Sequence, residues 1–283
     1  MGFNVTDGLP FPCGQCLACR INKRRVWTLR LMLENYFHEK ASFVTLTYSD
    51  ENLPYTFEGT PCLCKRDVQL WLKRLRKHFS DRQIRYYLAG EYGTRTRRPH
   101  YHVLVFGLSP AELDCLYLQY SGKSGEGRHS LLSDSWGFGL VHVGDVQRES
   151  IQYVAGYVTK KFTKRGDGNV PEFALMSRRP GIGAAAVAEI ASVLQHYNLE
   201  KETRRELRVD GKTWPLGRFL QGKLAESLGV DFGTGEYVKR LAEQWVQANR
   251  RGADFLEYLV QSDAGRYAKL EARDKIFNQR NTL

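Results

Sequence analysis

The stretch Arg85–Gly107, RYYLAGEYGTRTRRPHYHVLVFG, constrains the fold more than any other part of the chain. Two apolar, aromatic-rich runs, Arg85–Glu91 and His100–Gly107, flank a basic tip that holds Arg95, Arg97 and Arg98. Runs of this kind are strands, and the polar link between them makes an antiparallel hairpin. Side chains alternate faces along a strand, so His100 and His102 share one face and Tyr101 takes the other. The hairpin lays the end of the first strand beside the start of the second, which sets Glu91 next to the His pair. Two imidazoles and a carboxylate on one sheet face form a mixed nitrogen and oxygen site for a divalent cation. Taken alone, the His pair is more readily read as two half-buried sheet residues bound to nothing.

A segment about fifty residues downstream reverses that balance. Glu149–Phe162, ESIQYVAGYVTKKF, reads as a helix, although Gly156 inside it costs about 1 kcal/mol relative to Ala. Tyr153 and Tyr157 are four apart, so they share a face; Lys160 follows on the same side and Lys161 adjoins it. A phenol with a pKa of about 10 is a weak nucleophile at neutral pH. A divalent ion at Glu91, His100 and His102 would polarise a scissile phosphate and stabilise the charge that develops there. Lys160 would lower the phenol pKa or screen the same oxygens. In-line attack leaves a 5′-phosphotyrosine and a free 3′-hydroxyl, a link that reseals without ATP. The second tyrosine is placed to take the next strand.

The remaining elements frame this pair. Arg20 to Glu39 has helical periodicity through Val26, Leu29, Leu33 and Tyr36, with Lys23, Arg24, Arg25 and Arg30 as a basic flank. Ser42–Tyr48 alternates as a strand, and Lys65–Phe79 is a second amphipathic helix that turns Val68, Leu72, Leu75 and Phe79 inward. Ser109-Pro110-Ala111-Glu112 is a helix start with a capping box. Gly139–Val146 reads as a strand in which His142 is a sheet residue. Beyond a polar linker at Thr163–Asn169, the segments Ala184–Tyr197, Gly217–Leu228 and Gly235–Gln261 read as helices. The spacing predicts a domain over 1–165, with a Cys-rich N-terminal arm, and a mainly helical extension over 166–283. Gly217-x4-Gly222-Lys223 mimics a phosphate-binding loop, but Leu224 stands where Ser or Thr would hold Mg²⁺ and no strand clearly leads in.

A net charge of +11 favours a polyanionic partner, of which nucleic acid is the commonest. No apolar run approaches the ~20 residues needed to cross a bilayer, and the N-terminus lacks a signal-peptide pattern, so the expectation is a cytoplasmic protein with no membrane partner. Cysteines fall as Cys13-x2-Cys16-x2-Cys19, Cys62-x-Cys64 and Cys115. The triplet with Cys62 or Cys64 has the spacing of a structural zinc site; a buried thiol knot is the other reading.

Several of these segments together resemble the replication initiators of microviruses, of the gokushovirus type, within the HUH endonucleases. Phe43-Val44-Thr45-Leu46-Thr47-Tyr48 looks like the first family motif, and Arg98-Pro99-His100-Tyr101-His102 like the His-hydrophobic-His motif. Tyr153-Val-Ala-Gly-Tyr157-Val-Thr-Lys160-Lys161 looks like the two-tyrosine motif. Pro12–Cys16, Gly90–Gly93 and Met176–Gly183 are similar to further gokushovirus segments, so the resemblance spans residues 12 to about 183. It implies an α+β fold: a central antiparallel sheet of about five strands flanked by helices. It implies Mg²⁺ or Mn²⁺ at His100 and His102, with Glu91 as the less secure third ligand, Tyr153 and Tyr157 as nucleophiles, and Lys160 as helper. The implied substrate is the single-stranded or hairpin origin of a circular phage genome, nicked for rolling-circle replication in the bacterial cytoplasm beside host helicase and polymerase. Arg95, Arg97, Arg98 and Lys161 are the expected DNA contacts. Arg178 and Arg179 are read either as phosphate contacts or as a charged loop bounded by Pro180 and Gly181. The rival function is a non-catalytic nucleic-acid-binding protein with zinc at Cys13, Cys16, Cys19 and Cys62.

Overall fold

Strands and helices alternate along most of the chain in the computed structural model. It describes residues 2–3, 10–11, 14–93, 95–113, 135–160, 170–200, 206–230, 268–272 and 274–275, with backbone alone at 2–3, 10–11 and 158–160. A ladder of β1 (Gly2–Phe3) and β2 (Pro10–Phe11) precedes helix α1 (Leu17–Tyr36). Then come β3 (Ala41–Thr47), α2 (Lys65–His78), β4 (Arg85–Tyr92) and β5 (Pro99–Phe106). Next are β6 (Val141–Asp145), α3 (Arg148–Lys160), β7 (Phe173–Met176) and α4 (Ala186–His196). The hairpin β8 (Glu206–Val209) and β9 (Lys212–Pro215) leads to α5 (Gly217–Leu228). The chain divides into two compact units, Trp27–Glu189 and Met1–Val26 with Ile190–Leu283.

The first unit holds a five-stranded antiparallel sheet in the order β6-β3-β5-β4-β7, so the expected α+β architecture is present. The His-bearing strand β5 is central, between β3 and β4, where neighbours on both sides fix its register. The edge strand β7 lies beyond residue 165 and pairs Ala174 with Ala89. One face packs on α2 through Val68, Trp71, Leu72 and Leu75, with Val44, Leu46, Val103 and Val105 opposite them. The other face packs on α1 and α3, where Leu31, Ile151, Val154 and Tyr157 meet Tyr87, Leu104 and Phe106.

Helix α1 buries Leu29 as its periodicity suggested, but its inward side differs at other positions. Tyr36 is 74% exposed, whereas Arg30 of the expected basic flank is buried, as is Glu34. Polar partners explain this: Arg30 Nε donates to the Ile182 carbonyl at 3.0 Å and its guanidinium stacks on Trp27, while Glu34 is bonded by Arg85 and by the Gly183 N–H. The capping box forms as expected, with Glu112 Oε2 accepting from the Ser109 N–H and Ser109 Oγ from the Glu112 N–H.

Helices α4 and α5 lie within the helices read from sequence, and 231–267, which includes the third, is outside the described residues. The β8–β9 hairpin is an addition to that reading. It turns at Asp210-Gly211, both in the left-handed region. A strand therefore does lead towards Gly217, but Gly217–Lys223 is continuous helix rather than a loop. Arg24 pairs with Asp274 and Arg25 donates to the Thr213 carbonyl, which occupies part of the basic flank of α1. Among the described residues no helix is long and apolar enough to cross a membrane.

Candidate active site

The sheet register assembles the site. Glu91 stands directly opposite His100 across β4–β5, and Thr45 opposite His102 across β3–β5. Glu91, His100, His102 and Thr45 therefore share the face covered by α3. Glu91 and His102 are both buried, and His102 Nε2 and Glu91 Oε1 lie 2.8 Å apart in a hydrogen bond. Thr45 Oγ1 and His102 Nδ1 are hydrogen-bonded at 3.1 Å, which fixes the ring from its other side. His100 Nδ1–H donates to the Arg98 carbonyl at 2.8 Å, and its ring lies parallel to that of His102 with centroids 6.5 Å apart.

Helix α3 brings both tyrosines onto this cluster. The Tyr153 hydroxyl is 3.3 Å from Glu91 Oε1 and 3.4 Å from His102 Nε2. The Tyr157 ring stacks on that of His102, with centroids 5.6 Å apart and planes 10° from parallel, and packs edge-on against Tyr153 at 4.9 Å. Burial, and then the Glu91 carboxylate, push the Tyr153 phenol up to about 12; the same causes raise Tyr157 further. Both phenols are thus neutral at rest.

The donor chemistry fits a divalent cation. The 2.8 Å between Glu91 Oε1 and His102 Nε2 matches adjacent ligands of an octahedral ion, which are ~3 Å apart for bonds of about 2.1 Å. His100, its Nδ1–H tied to a carbonyl, has the orientation device common to metal-binding histidines. Among the described residues no three His, Cys, Asp or Glu side chains already converge as a metal-holding group, so His100 has to turn toward the Glu91–His102 pair to complete a set of three.

The other expected residues scatter. Lys160 ends α3, where only backbone is described, and Lys161 is outside the described residues. At the hairpin tip Arg95 is exposed, and Arg97 places its guanidinium 5.4 Å from the Tyr92 ring centroid. Arg98 instead pairs with Asp50 and donates to the Tyr48 carbonyl, tying the tip to the end of β3. Arg178 and Arg179 are exposed after β7, near Arg85 at the opposite end of β4 from Glu91. His142 is opposite Thr45 and exposed. Cys13 is outside the described residues; Cys16, Cys19, Cys62 and Cys64 are partly buried and not in disulfides. Burial, then Cys64 and Asp67, raise the Cys62 thiol. The sequence reading gave no role to Thr45 or Gly93. A Cβ on Gly93 would stand 3.1 Å from His100 Cε1, so this glycine leaves room for the ring.

The fold is an α+β domain consistent with the HUH type: a five-stranded antiparallel sheet with a central His-x-His strand and a tyrosine-bearing helix across it. Residues 41–162 match the family model described as Replication-associated protein ORF2/G2P, and that span runs from β3 through α3. The chain is 36% identical over 167 residues to Replication-associated protein ORF2 of Spiroplasma virus 4, covering 56% of this chain and 49% of that protein. It is 33% identical over 164 residues to Replication-associated protein VP4 of Bdellovibrio phage phiMH2K, covering 56% and 50%. Against Replication-associated protein ORF4 of Chlamydia phage 1 the identity is 31% over 159 residues, covering 54% and 39%. The matches bear out the resemblance to microvirus replication proteins, and they span about half or less of the length of these curated relatives. No solved structure gives a significant match.

Proposed function

We propose that this protein initiates replication of a circular phage genome by nicking and rejoining a single-stranded or hairpin origin in the host cytoplasm, with tyrosine as nucleophile. The observation that carries the reading is the Tyr153 hydroxyl over the Glu91–His102 pair, with Tyr157 beside it. Tyr153 Oη bonds to the scissile phosphorus as the bond to the 3′ oxygen breaks, which leaves a 5′-phosphotyrosine and a 3′-hydroxyl. Glu91 has two oxygens, so it can serve a cation with one and take the phenolic proton with the other; the departing 3′ oxygen takes a proton in return. Mg²⁺ or Mn²⁺ held by Glu91, His100 and His102 would neutralise charge on the phosphoryl oxygens. His102 is held in one orientation by Thr45 and Glu91, so this part of the site is oriented before substrate arrives. Lys160 is one helical turn past Tyr157 and is proposed to screen the same charge. Rejoining follows when a free 3′-hydroxyl attacks the phosphotyrosine. Tyr157 holds the second DNA end during that exchange.

The test is a synthetic origin oligonucleotide incubated with the protein and Mn²⁺. A covalent protein–DNA adduct on a denaturing gel is expected, with the nucleotide mapped to Tyr153 or Tyr157 by mass spectrometry. An adduct that persists when both tyrosines are replaced by Phe, or none with the unaltered protein, overturns the proposal.

A further inference from the structure

The segment Met176–Gly183 stands apart from the tyrosine site, and its construction is unusual for a surface loop. Ser177 is fixed to Tyr86 by two hydrogen bonds, its N–H to the Tyr86 carbonyl at 3.0 Å and the Tyr86 N–H to its Oγ at 3.1 Å. At the far end Gly183, with φ +76, donates its N–H to the buried Glu34 carboxylate at 2.7 Å. Added there, a Cβ would come within 2.8 Å of the Arg30 carbonyl, so only glycine suits this approach. Ile182 is fully buried, Arg85 donates to the Pro180 carbonyl at 2.9 Å, and Arg30 to that of Ile182. Both ends are clamped while Arg178 and Arg179 between them are exposed.

These two arginines line a cavity of about 480 Å³ with Arg76, Arg82, Arg85 and Ser177. Arg85 is neutralised by Glu34, and Arg82 by Asp81 and Glu112. Among the described residues no carboxylate pairs with Arg76, Arg178 or Arg179, so the cleft keeps an excess of positive charge with hydroxyl donors at its wall. A set of guanidinium groups at fixed positions is suited to phosphate oxygens, which they bind in a bidentate manner.

We infer that this cleft is a second phosphate-binding site, one that grips the sugar-phosphate backbone of DNA away from the nick. The inference rests on the proposed DNA function. Arg85 and Glu91 are six residues apart on β4, which is about 20 Å at the rise of a strand. That is roughly six base pairs of duplex, so the backbone held here would be that of flanking DNA such as a hairpin stem. The cleft contributes affinity and position, and takes no part in the chemistry.

The experiment is a salt titration of binding, followed by fluorescence anisotropy in EDTA, with a labelled duplex several helical turns long. Arg178→Ala/Arg179→Ala is expected to bind several times more weakly, and to lower the slope of log affinity against log salt by about 2, near one unit for each phosphate that is no longer neutralised. Lys at both positions restores the slope, because charge is kept. An unaltered slope and affinity in the double Ala variant, with its melting temperature intact, overturns the inference. So does pyrophosphate that binds through Arg178 and Arg179 while the DNA slope stays the same; that result assigns the cleft to free phosphates. Binding in EDTA needs no nicking, so a missing adduct and a silent cleft are separate failures.

Discussion

Tyr153 and Tyr157 occupy the same face of one helix but not the same environment. The hydroxyls of both reach Glu91, but Tyr153 is half-buried and also approaches His102 Nε2, whereas Tyr157 is 8% exposed and its ring is stacked on that of His102. Under the proposed reaction the more open Tyr153 is assigned the first attack. Tyr153→Phe is expected to lower first-strand adduct formation by about a thousandfold or more, as loss of an activated nucleophile does. Tyr157→Phe is expected to keep that step and lose transfer of a second strand. Single-turnover gels with one and then two labelled oligonucleotides separate the two; equal loss of the first step in both variants contradicts the assignment. A quieter position is Gly93. Its replacement by Ala puts a Cβ 3.1 Å from His100 Cε1 and forces the ring to shift by tenths of an ångström. Mn²⁺ affinity, read by electron paramagnetic resonance, is expected to fall about tenfold, the scale of a disturbed outer shell, with circular dichroism unchanged. Strand alternation and hairpin pairing made the Glu91, His100 and His102 juxtaposition legible from the chain alone. Thr45 and Gly93 were not, because their roles depend on cross-strand register and on a ring's direction, and neither leaves a periodic trace.

At the scale of elements, what could be read was whatever repeats. Helix α2 buries Val68, Leu72 and Leu75 as its spacing requires, and adds Trp71, whose Nε1–H donates to Ser135 Oγ. Leu75 is 1% exposed against the sheet, so Leu75→Ala is expected to cost about 2–5 kcal/mol in denaturant unfolding. Exposed Lys73 on the same helix is expected to tolerate Ala within about 0.5 kcal/mol. Similar losses at both positions would show that α2 is not packed as described. Helix α1 was harder, since its inward side is partly ionic: Arg30, which read as part of a basic flank, and Glu34 are buried because each finds a partner far along the chain. Strand β7 is four residues long and follows a polar linker, too short to show alternation. The β8–β9 hairpin did carry a signal, since Asp210-Gly211 separates two short runs by the two residues of a tight turn. Helical expectations around it masked that signal.

For the molecule as a whole, the clamp at Glu34 ties acid stability to the basic cleft. Burial alone would raise this carboxyl. Hydrogen bonds from His38, Arg85 and the Gly183 N–H outweigh that and hold it at about 2. A carboxyl depressed in the folded state contributes stability that is complete above its unfolded value of about 4.3 and is lost as pH falls towards 2. A shift of this size corresponds to about 3 kcal/mol. Glu112 is likewise held at about 2 against burial by Ser109, Lys40 and Arg82, but it is more open to solvent and adds less. Urea unfolding of the first unit between pH 5 and pH 2 is therefore expected to weaken by about 3 kcal/mol more in the unaltered protein than in Glu34→Gln, whose amide does not titrate. At pH 7 the Gln variant should already be less stable, because Arg85 is 6% exposed and loses its counter-charge. Parallel pH profiles for the two proteins would mean that Glu34 does not hold the loop. If the clamp acts as described, acid release of Glu34 loosens Ile182 and Gly183 before the sheet yields, and hydrogen exchange at the Gly183 amide should rise ahead of exchange at the β5 amides.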